Sequence, residues 1–333
     1  MATEDRAPTF DDIAHAAGVS PSTVSRALSN PERVSARTRE RIEAIAQEMG
    51  YLRRPYRRGR GPTLRRTVAT VVAELSNPFA AAFLEGAQRQ LNAAGYAQLL
   101  IDSDGSPELE LSMVQRIRDR VDGIILVSTG ISIDQLEILG TQLPIVALNR
   151  QLHSCSTIII DSPSSYRRAL EHLVSLGHRR VIYVAGPAHA LMDGLRWRAL
   201  VSVAEERGVE LSRTAPFPPV VKSGAAAADA VLNSDATACI AFNDFLAIGM
   251  LRRFQERGVR VPEDISVVGC DDIFGADFCN PPLTTITSPL ARAGQSAVTL
   301  LLEEIEKGSA AAVRRIVLPT YMTIRESTGS ART

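Results

Sequence analysis

The chain has 333 residues, of which 45% are apolar and 22% charged, and its formal net charge is zero. There is ample apolar material for about two or three domains, and no apolar run approaches the roughly 18 residues of a membrane helix. The acidic start MATEDRAP is not a secretory signal, so a cytoplasmic protein is expected. Cys155, Cys239, Cys270 and Cys279 have neither CxxC spacing nor histidines placed for zinc, so they read as reduced structural thiols, with no metal and no cofactor.

In chain order, the first elements are two short helices meeting at a tight turn within TFDDIAHAAGVSPSTVSRAL, Thr9 to Leu28. Ile13, Ala14 and Ala17 fall at helical spacing, Gly18 suits the left-handed backbone of a sharp helix end, and Ser20 caps a second helix whose first residue is Pro21. Val24, Ala27 and Leu28 form its inner face, which leaves Ser22, Thr23, Ser25 and Arg26 to project toward a DNA major groove. An ordinary αα-hairpin is the alternative on pattern alone. Ser35 then caps a third helix with Ile42, Ile45, Ala46 and Met49 on one face, closed by Gly50.

Next comes a run that decides between those readings. Residues 1–66 contain 13 arginines against 8 acids, and Tyr51 to Arg66 alone holds seven arginines and no acid. Such a run is usually a solvated linker, but beside a helix-turn-helix it suits a phosphate-contacting arm.

From Thr67 the pattern alternates between β-rich and helical segments. Strands are expected at Val68–Ala73, Ala97–Ile101, Gly123–Val127, Ile145–Leu148 and Thr157–Ile160, then at Arg180–Ala185, Ala215–Val220, Ala238–Ala241 and Ser266–Gly269. Helices are expected at Phe79–Ala94, Glu108–Arg120, Ile133–Leu139, Tyr166–Leu176, Arg196–Arg207, Gly224–Leu232 and Asp244–Arg257. The spacing predicts an α/β core of two doubly wound lobes, with a ligand cleft off the carboxyl ends of the strands. No GxGxxG, P-loop, GxSxG or HExxH pattern occurs.

These residues resemble the lactose/galactose-repressor (LacI/GalR-type) family of bacterial transcription regulators over essentially the whole chain. The head matches T-x-x-D-I-A-x-x-A-G-V-S-x-x-T-V-S-R-x-L from Thr9 to Leu28, and the core matches Ser76-Asn77-Pro78-Phe79, Leu176-Gly177-His178, Phe242-Asn243-Asp244, Gly269-Cys270-Asp271-Asp272 and Pro281-Pro282-Leu283-Thr284-Thr285. The resemblance implies a three-helix DNA-binding head at 1–52, an arginine-rich hinge at 53–66 and a periplasmic-binding-protein-like core at 67–333. One lobe would comprise about 67–160 and 290–318, the other about 161–289 and 319–333. It also implies a homodimer on a pseudo-palindromic DNA operator, controlled by a small effector, and no enzyme activity.

Carried over residue by residue, base contacts fall on Pro21, Ser22 and Arg26. Phosphate contacts fall on Thr9, Ser20, Thr23, Ser25, Ser35, Thr38 and Tyr51, with packing inside the head as the alternative for Thr23 and Tyr51. Effector contacts fall on Asn77, Phe79, Asn149, Arg150, Asp161, Arg196, Asn243 and Asp271. Carboxylates, amides and a guanidinium around an aromatic suit a carbohydrate, because each pairs with vicinal hydroxyls. For Arg196 the alternative is a surface arginine at a helix start. Trp197, the only tryptophan, reads as packing between the lobes, with the cleft as its alternative. His153, His178 and His189 read as loop or capping residues.

The hinge departs from the family pattern Y-x-P-N-x-x-A-R-x-L. Arg57, Arg58 and Arg60 stand there, Arg60 in place of the leucine that wedges into the minor groove, and Gly59, Gly61 and Pro62 oppose a helix. Arginines following a narrow minor groove are the expected substitute. Two other readings fit less well. A solute-binding protein would lack the basic head, and an enzyme using Asp161, Asp244 and Asp271 has no nucleophile or metal spacing to pair with them.

Overall fold

The structure is a computed structural model that describes residues 10–29, 34–49, 64–188, 190–308 and 312–332. It divides into two compact units, Met1–Leu64 and Arg65–Thr333.

In the first unit, α1 (Phe10–Ala17), α2 (Pro21–Ser29) and α3 (Ala36–Glu48) enclose a small core. Ile13, Ala14 and Ala17 meet Val24 and Ala27 of α2 and Ile42 and Ala46 of α3. The turn follows from local chemistry. Gly18 takes φ +60°, the Val19 N–H closes on the Ala14 carbonyl at 3.0 Å, and the Ser20 hydroxyl accepts from the Thr23 N–H at 3.3 Å. Ser35 caps α3 the same way through the Thr38 N–H, and Arg41 donates to the Ala17 carbonyl at the end of α1. Met49 lies just past α3 and is 36% exposed, so the helix ends one residue before the position expected to extend its inner face.

The second unit alternates strands and helices. The first run is β1 (Thr67–Val72), α4 (Pro78–Ala93), β2 (Ala97–Asp102), α5 (Pro107–Ile117), β3 (Gly123–Val127), α6 (Ile133–Gly140), β4 (Ile145–Leu148) and β5 (Ser156–Asp161). The second is α7 (Ser162–Ser175), β6 (Arg180–Val184), α8 (Leu191–Arg207), β7 (Glu210–Arg213), α9 (Gly224–Leu232), β8 (Ala238–Ala241), α10 (Asp244–Glu256), β9 (Ser266–Asp271) and β10 (Thr284–Thr287). Then α11 (Leu290–Lys307) and β11 (Arg315–Pro319) return to the first lobe, and β12 (Tyr321–Thr323) to the second.

The sheets run β11-β5-β4-β3-β1-β2 and β12-β10-β9-β8-β6-β7, parallel except for the β10–β12 pair. In the first lobe α4 and α11 bury one face of the sheet while α5 and α6 bury the other. In the second, α7 and α8 lie opposite α9 and α10. Helices α4 and α11 approach backbone to backbone, since a Cβ on Gly86 would run into the Ala291 carbonyl and one on Gly294 into that of Phe83.

The chain passes between lobes at Asp161–Ser162, at Ser288–Pro289 and at Thr320, directly after the carboxyl ends of β5, β10 and β11. The carboxyl edges of both sheets therefore face one another across these passages. Residues 215–220 form no strand. Pro216, Pro218 and Pro219 remove the ladder donors there, and the strand pairing with β6 is β7, a few residues earlier.

Candidate functional site

Of the DNA-contact candidates, Pro21 opens α2, and the Ser20 and Ser22 side chains are exposed at its start. The Ser20 hydroxyl lies 2.9 Å from that of Ser22 and 2.8 Å from that of Thr23, so Thr23 is half-buried inside the cap. Ser35 and Thr38 form the same hydroxyl pair, 2.8 Å apart, at the start of α3. Thr9, Tyr51, Arg57, Arg58 and Arg60 lie outside the described residues, as do the side chains of Ser25 and Arg26.

In the second lobe the strand ends gather charge. Arg196 is only 6% exposed, so it is no surface arginine. Its Nε donates to the Ser162 hydroxyl at 3.0 Å, its Nη1 donates to the Phe242 carbonyl at 2.7 Å, and its guanidinium lies over the Phe242 and Tyr166 rings at 4.8 and 5.1 Å. Burial opposes its charge, but Cys270, Tyr166 and Asp271 outweigh that and push its pKa up.

Asp271 ends β9 at φ +111°, a conformation rare outside glycine, and is 7% exposed. Burial pushes its carboxyl up to about 6, against the pull of Arg196 and hydrogen bonds from Cys270 and Ser288. Beside it, fully buried Asp244 accepts from the Thr285 hydroxyl at 2.6 Å and the Ile273 N–H at 3.0 Å. Burial and the Asp271 charge push Asp244 up to about 7. Asn243 caps α10 through the Leu246 N–H and donates to the Pro219 carbonyl, and Asp161 caps α7 and holds the Ser164 hydroxyl. Both of these side chains spend polar atoms on the fold.

The first lobe places Asn77, Phe79, Asn149 and Arg150 at its strand ends, all half-buried. Asn77 caps α4 through the Phe79 N–H at 3.0 Å, and Phe79 packs on the core beneath it. Asn149, at φ +56°, accepts from the Ile160 N–H at 2.8 Å. Arg150 donates to the Thr129 carbonyl. Its charge also acts on Glu110, which is 3% exposed and accepts from the Gly130 N–H at 2.9 Å. Two cavities, of about 90 and 160 Å³, lie on this lobe away from the carboxyl ends of its strands.

Several residues of these networks escape pattern reading. Asp193, 1% exposed, accepts from the Tyr183 hydroxyl at 2.9 Å and the Gly186 N–H at 2.8 Å and pairs with Arg213. Trp197 stacks on Tyr183 at 6.1 Å under Arg213, inside the second lobe rather than between lobes or in the cleft. His178 lies, as expected, in the loop between α7 and β6. It is buried, and its two nitrogens meet the Thr237 and Ser266 hydroxyls and the Gly329 carbonyl. His153 is exposed, its N–H held by Glu137, and His189 lies outside the described residues.

Against known proteins, residues 9–54 match the bacterial regulatory proteins of the lacI family, and residues 170–328 match the periplasmic binding protein-like domain. The transcriptional repressor CytR of Escherichia coli strain K12 is 31% identical, over 91% of this chain and 91% of its own length. The regulator CelR in complex with cellobiose is 30% identical, with a TM-score of 0.71 over 96% of this chain and 99% of that one. The lac repressor dimer bound to operator and an anti-inducer is 25% identical, with a TM-score of 0.70 over 98% of this chain and 100% of that one. Helix-turn-helix head, two parallel sheets joined by three passages and full-length likeness agree: the chain belongs to the LacI family of DNA-binding transcriptional regulators.

Proposed function

We propose that this protein is a cytoplasmic repressor that binds a pseudo-palindromic operator as a homodimer, and that a carbohydrate held between its lobes controls operator affinity. The observation that carries the ligand reading is the Arg196–Asp271 corner, where a buried guanidinium stacked on Phe242 stands beside a carboxylate at the end of β9. A sugar offers hydroxyls that donate to Asp271 and accept from Arg196. Asn77, Asn149 and Arg150, half-buried at the strand ends of the first lobe, would supply the opposing polar wall. The complexes with cellobiose and with operator, seen in CelR and the lac repressor, support both halves of the reading. In the head, Pro21, Ser22 and Arg26 would read bases, and Thr9, Ser20, Thr23, Ser25, Ser35, Thr38 and Tyr51 would contact phosphates, with Arg57, Arg58 and Arg60 following the minor groove.

A second copy has apolar surface to cover. Leu99 and Leu100 are 38% and 39% exposed on the edge strand β2, and the Phe274–Phe278 pair is 82% and 63% exposed. The test is calorimetry with D-ribose, cellobiose and a panel of other mono- and disaccharides on wild type and Asp271→Asn. One sugar should bind wild type and lose at least tenfold in the variant, and wild-type affinity in the variant would sink the site. Selection of duplexes from a random library tests the operator half independently.

A further inference from the structure

Where the arginine-rich arm meets the second unit, the chain is gripped from two sides. The two carboxylate oxygens of Asp122, just before β3, accept from the Arg65 N–H at 2.8 Å and the Thr67 N–H at 3.1 Å. The Asp122 N–H in turn donates to the Thr67 carbonyl at 2.8 Å. Between the two gripped amides, Arg66 turns the chain at φ +52°, a left-handed conformation that a residue with a side chain holds only when its surroundings impose it. The Arg66 side chain is fixed on the other side. Its Nη1 donates to the Ala94 carbonyl at 3.2 Å, its guanidinium lies 5.4 Å over the Tyr96 ring, and its own carbonyl accepts from the Ala97 N–H at 2.7 Å. Ala94 is the carboxyl cap of α4, where a cation is favoured by the helix dipole, and the other end of α4 is the Asn77 cap at the candidate ligand site. Thus one of the seven arginine-run cations, that of Arg66, is bound at this grip rather than carried on the arm, and Arg65 is held beside it by its backbone amide.

We propose that Asp122 and Arg66 are positioning residues that clamp the end of the arm to the core beside α4, fixing the point at which each DNA-binding head is tethered. This rests on the reading of the head as an operator-binding element. Two heads on one operator bind with an effective concentration set by where and how firmly their tethers are held. Releasing 65–67 therefore weakens binding to a full operator without touching a single head's grip on a half-site.

The test uses the full chain and a duplex selected from a random library by wild type, alongside the same duplex cut to one half-site. Asp122→Ala and Arg66→Ala should each bind the full duplex about fivefold more weakly and the half-site as wild type does. Asp122→Asn, which keeps one acceptor, should fall between. Hydrogen exchange reads the grip directly, and the Thr67 amide should lose protection in Asp122→Ala while the β3 amides keep theirs. Wild-type affinity for the full duplex in both alanine variants would overturn the clamp, as would an equal loss on both duplexes. Should wild type select no duplex at all, the operator reading fails and the clamp falls with it.

Discussion

The two lobes share one architecture and differ in what they put at the ends of it. Each has a six-stranded sheet in the same winding order, extended at one edge by a late strand, β11 or β12. At the carboxyl ends of the first sheet stand half-buried Asn77, Asn149 and Arg150. At the same place in the second stand Arg196, Asp271 and Asp244, at 6%, 7% and 0% exposure. The winding supplies a cleft edge twice, and concentrated charge is supplied only once, so position comes from the fold and chemistry from particular side chains. Charges held out of water in fixed geometry act strongly on whatever enters beside them, so in the proposed site the second lobe would supply recognition and the first would complete the wall.

Three measurements can break or sharpen this contrast. The largest effect is expected from Arg196→Ala, which deletes two charge-assisted hydrogen bonds and leaves Asp271 buried without its countercharge. Urea unfolding at pH 7.5 should show a loss of about 3–5 kcal/mol, and a loss below about 1 would erase the distinction between the lobes. The deficit should shrink at pH 5, where Asp271 takes up a proton.

Next is Asp244→Asn, which keeps an acceptor for the Ile273 N–H and lets the amide donate to Thr285. Folded Asp244 titrates at about 7 and folded Asp271 at about 6, both raised first of all by burial. Between about pH 4 and 7 the folded state therefore holds protons that the unfolded chain has released, so these groups stabilise at low pH and that stability is lost as pH rises. Stability of wild type should fall relative to Asp244→Asn across that window and run parallel above it. Parallel curves from pH 4 upward would remove the strained pair. His178 acts in the opposite sense in both proteins. Burial lowers its pKa, so its contribution is present above about pH 6.5 and lost as pH falls toward the lowered value.

The smallest effect belongs to the first lobe. Glu110→Gln retains an acceptor for the Gly130 N–H and should cost about 1 kcal/mol by the same unfolding assay. A cost equal to that of Arg196→Ala would mean that the first lobe is held by buried charge as firmly as the second.

Much of this was legible in the chain because apolar runs of Val, Ile and Leu alternate with helical faces from Thr67 to Gly269. The strands Gly123–Val127, Ile145–Leu148 and Ala238–Ala241 are continuous apolar runs buried on both faces, and they form where expected. The late elements carry weaker signals. β10 is the polar run TTIT, β12 spans three residues, and β11 alternates with an exposed outer side, so each is a strand because a sheet edge waits for it rather than because of its own pattern. The same holds at the site. Arg196 has a recognisable place in the chain, but the Asp193–Arg213–Trp197–Tyr183 cluster joins residues from β6, α8 and β7 that only the packed lobe brings together.

The three passages between lobes also set an order of assembly. The head is one contiguous segment near the amino terminus, and its three helices can pack as soon as they leave the ribosome. The first lobe cannot finish, because β11 and the long helix that seals its sheet against α4 are made after nearly all of the second lobe. Until then the Phe83 and Leu91 face of α4 lacks its cover. A nascent chain of this protein thus acquires its helix-turn-helix head long before either lobe of the core is complete, and truncation anywhere before Pro319 leaves both lobes without an edge strand.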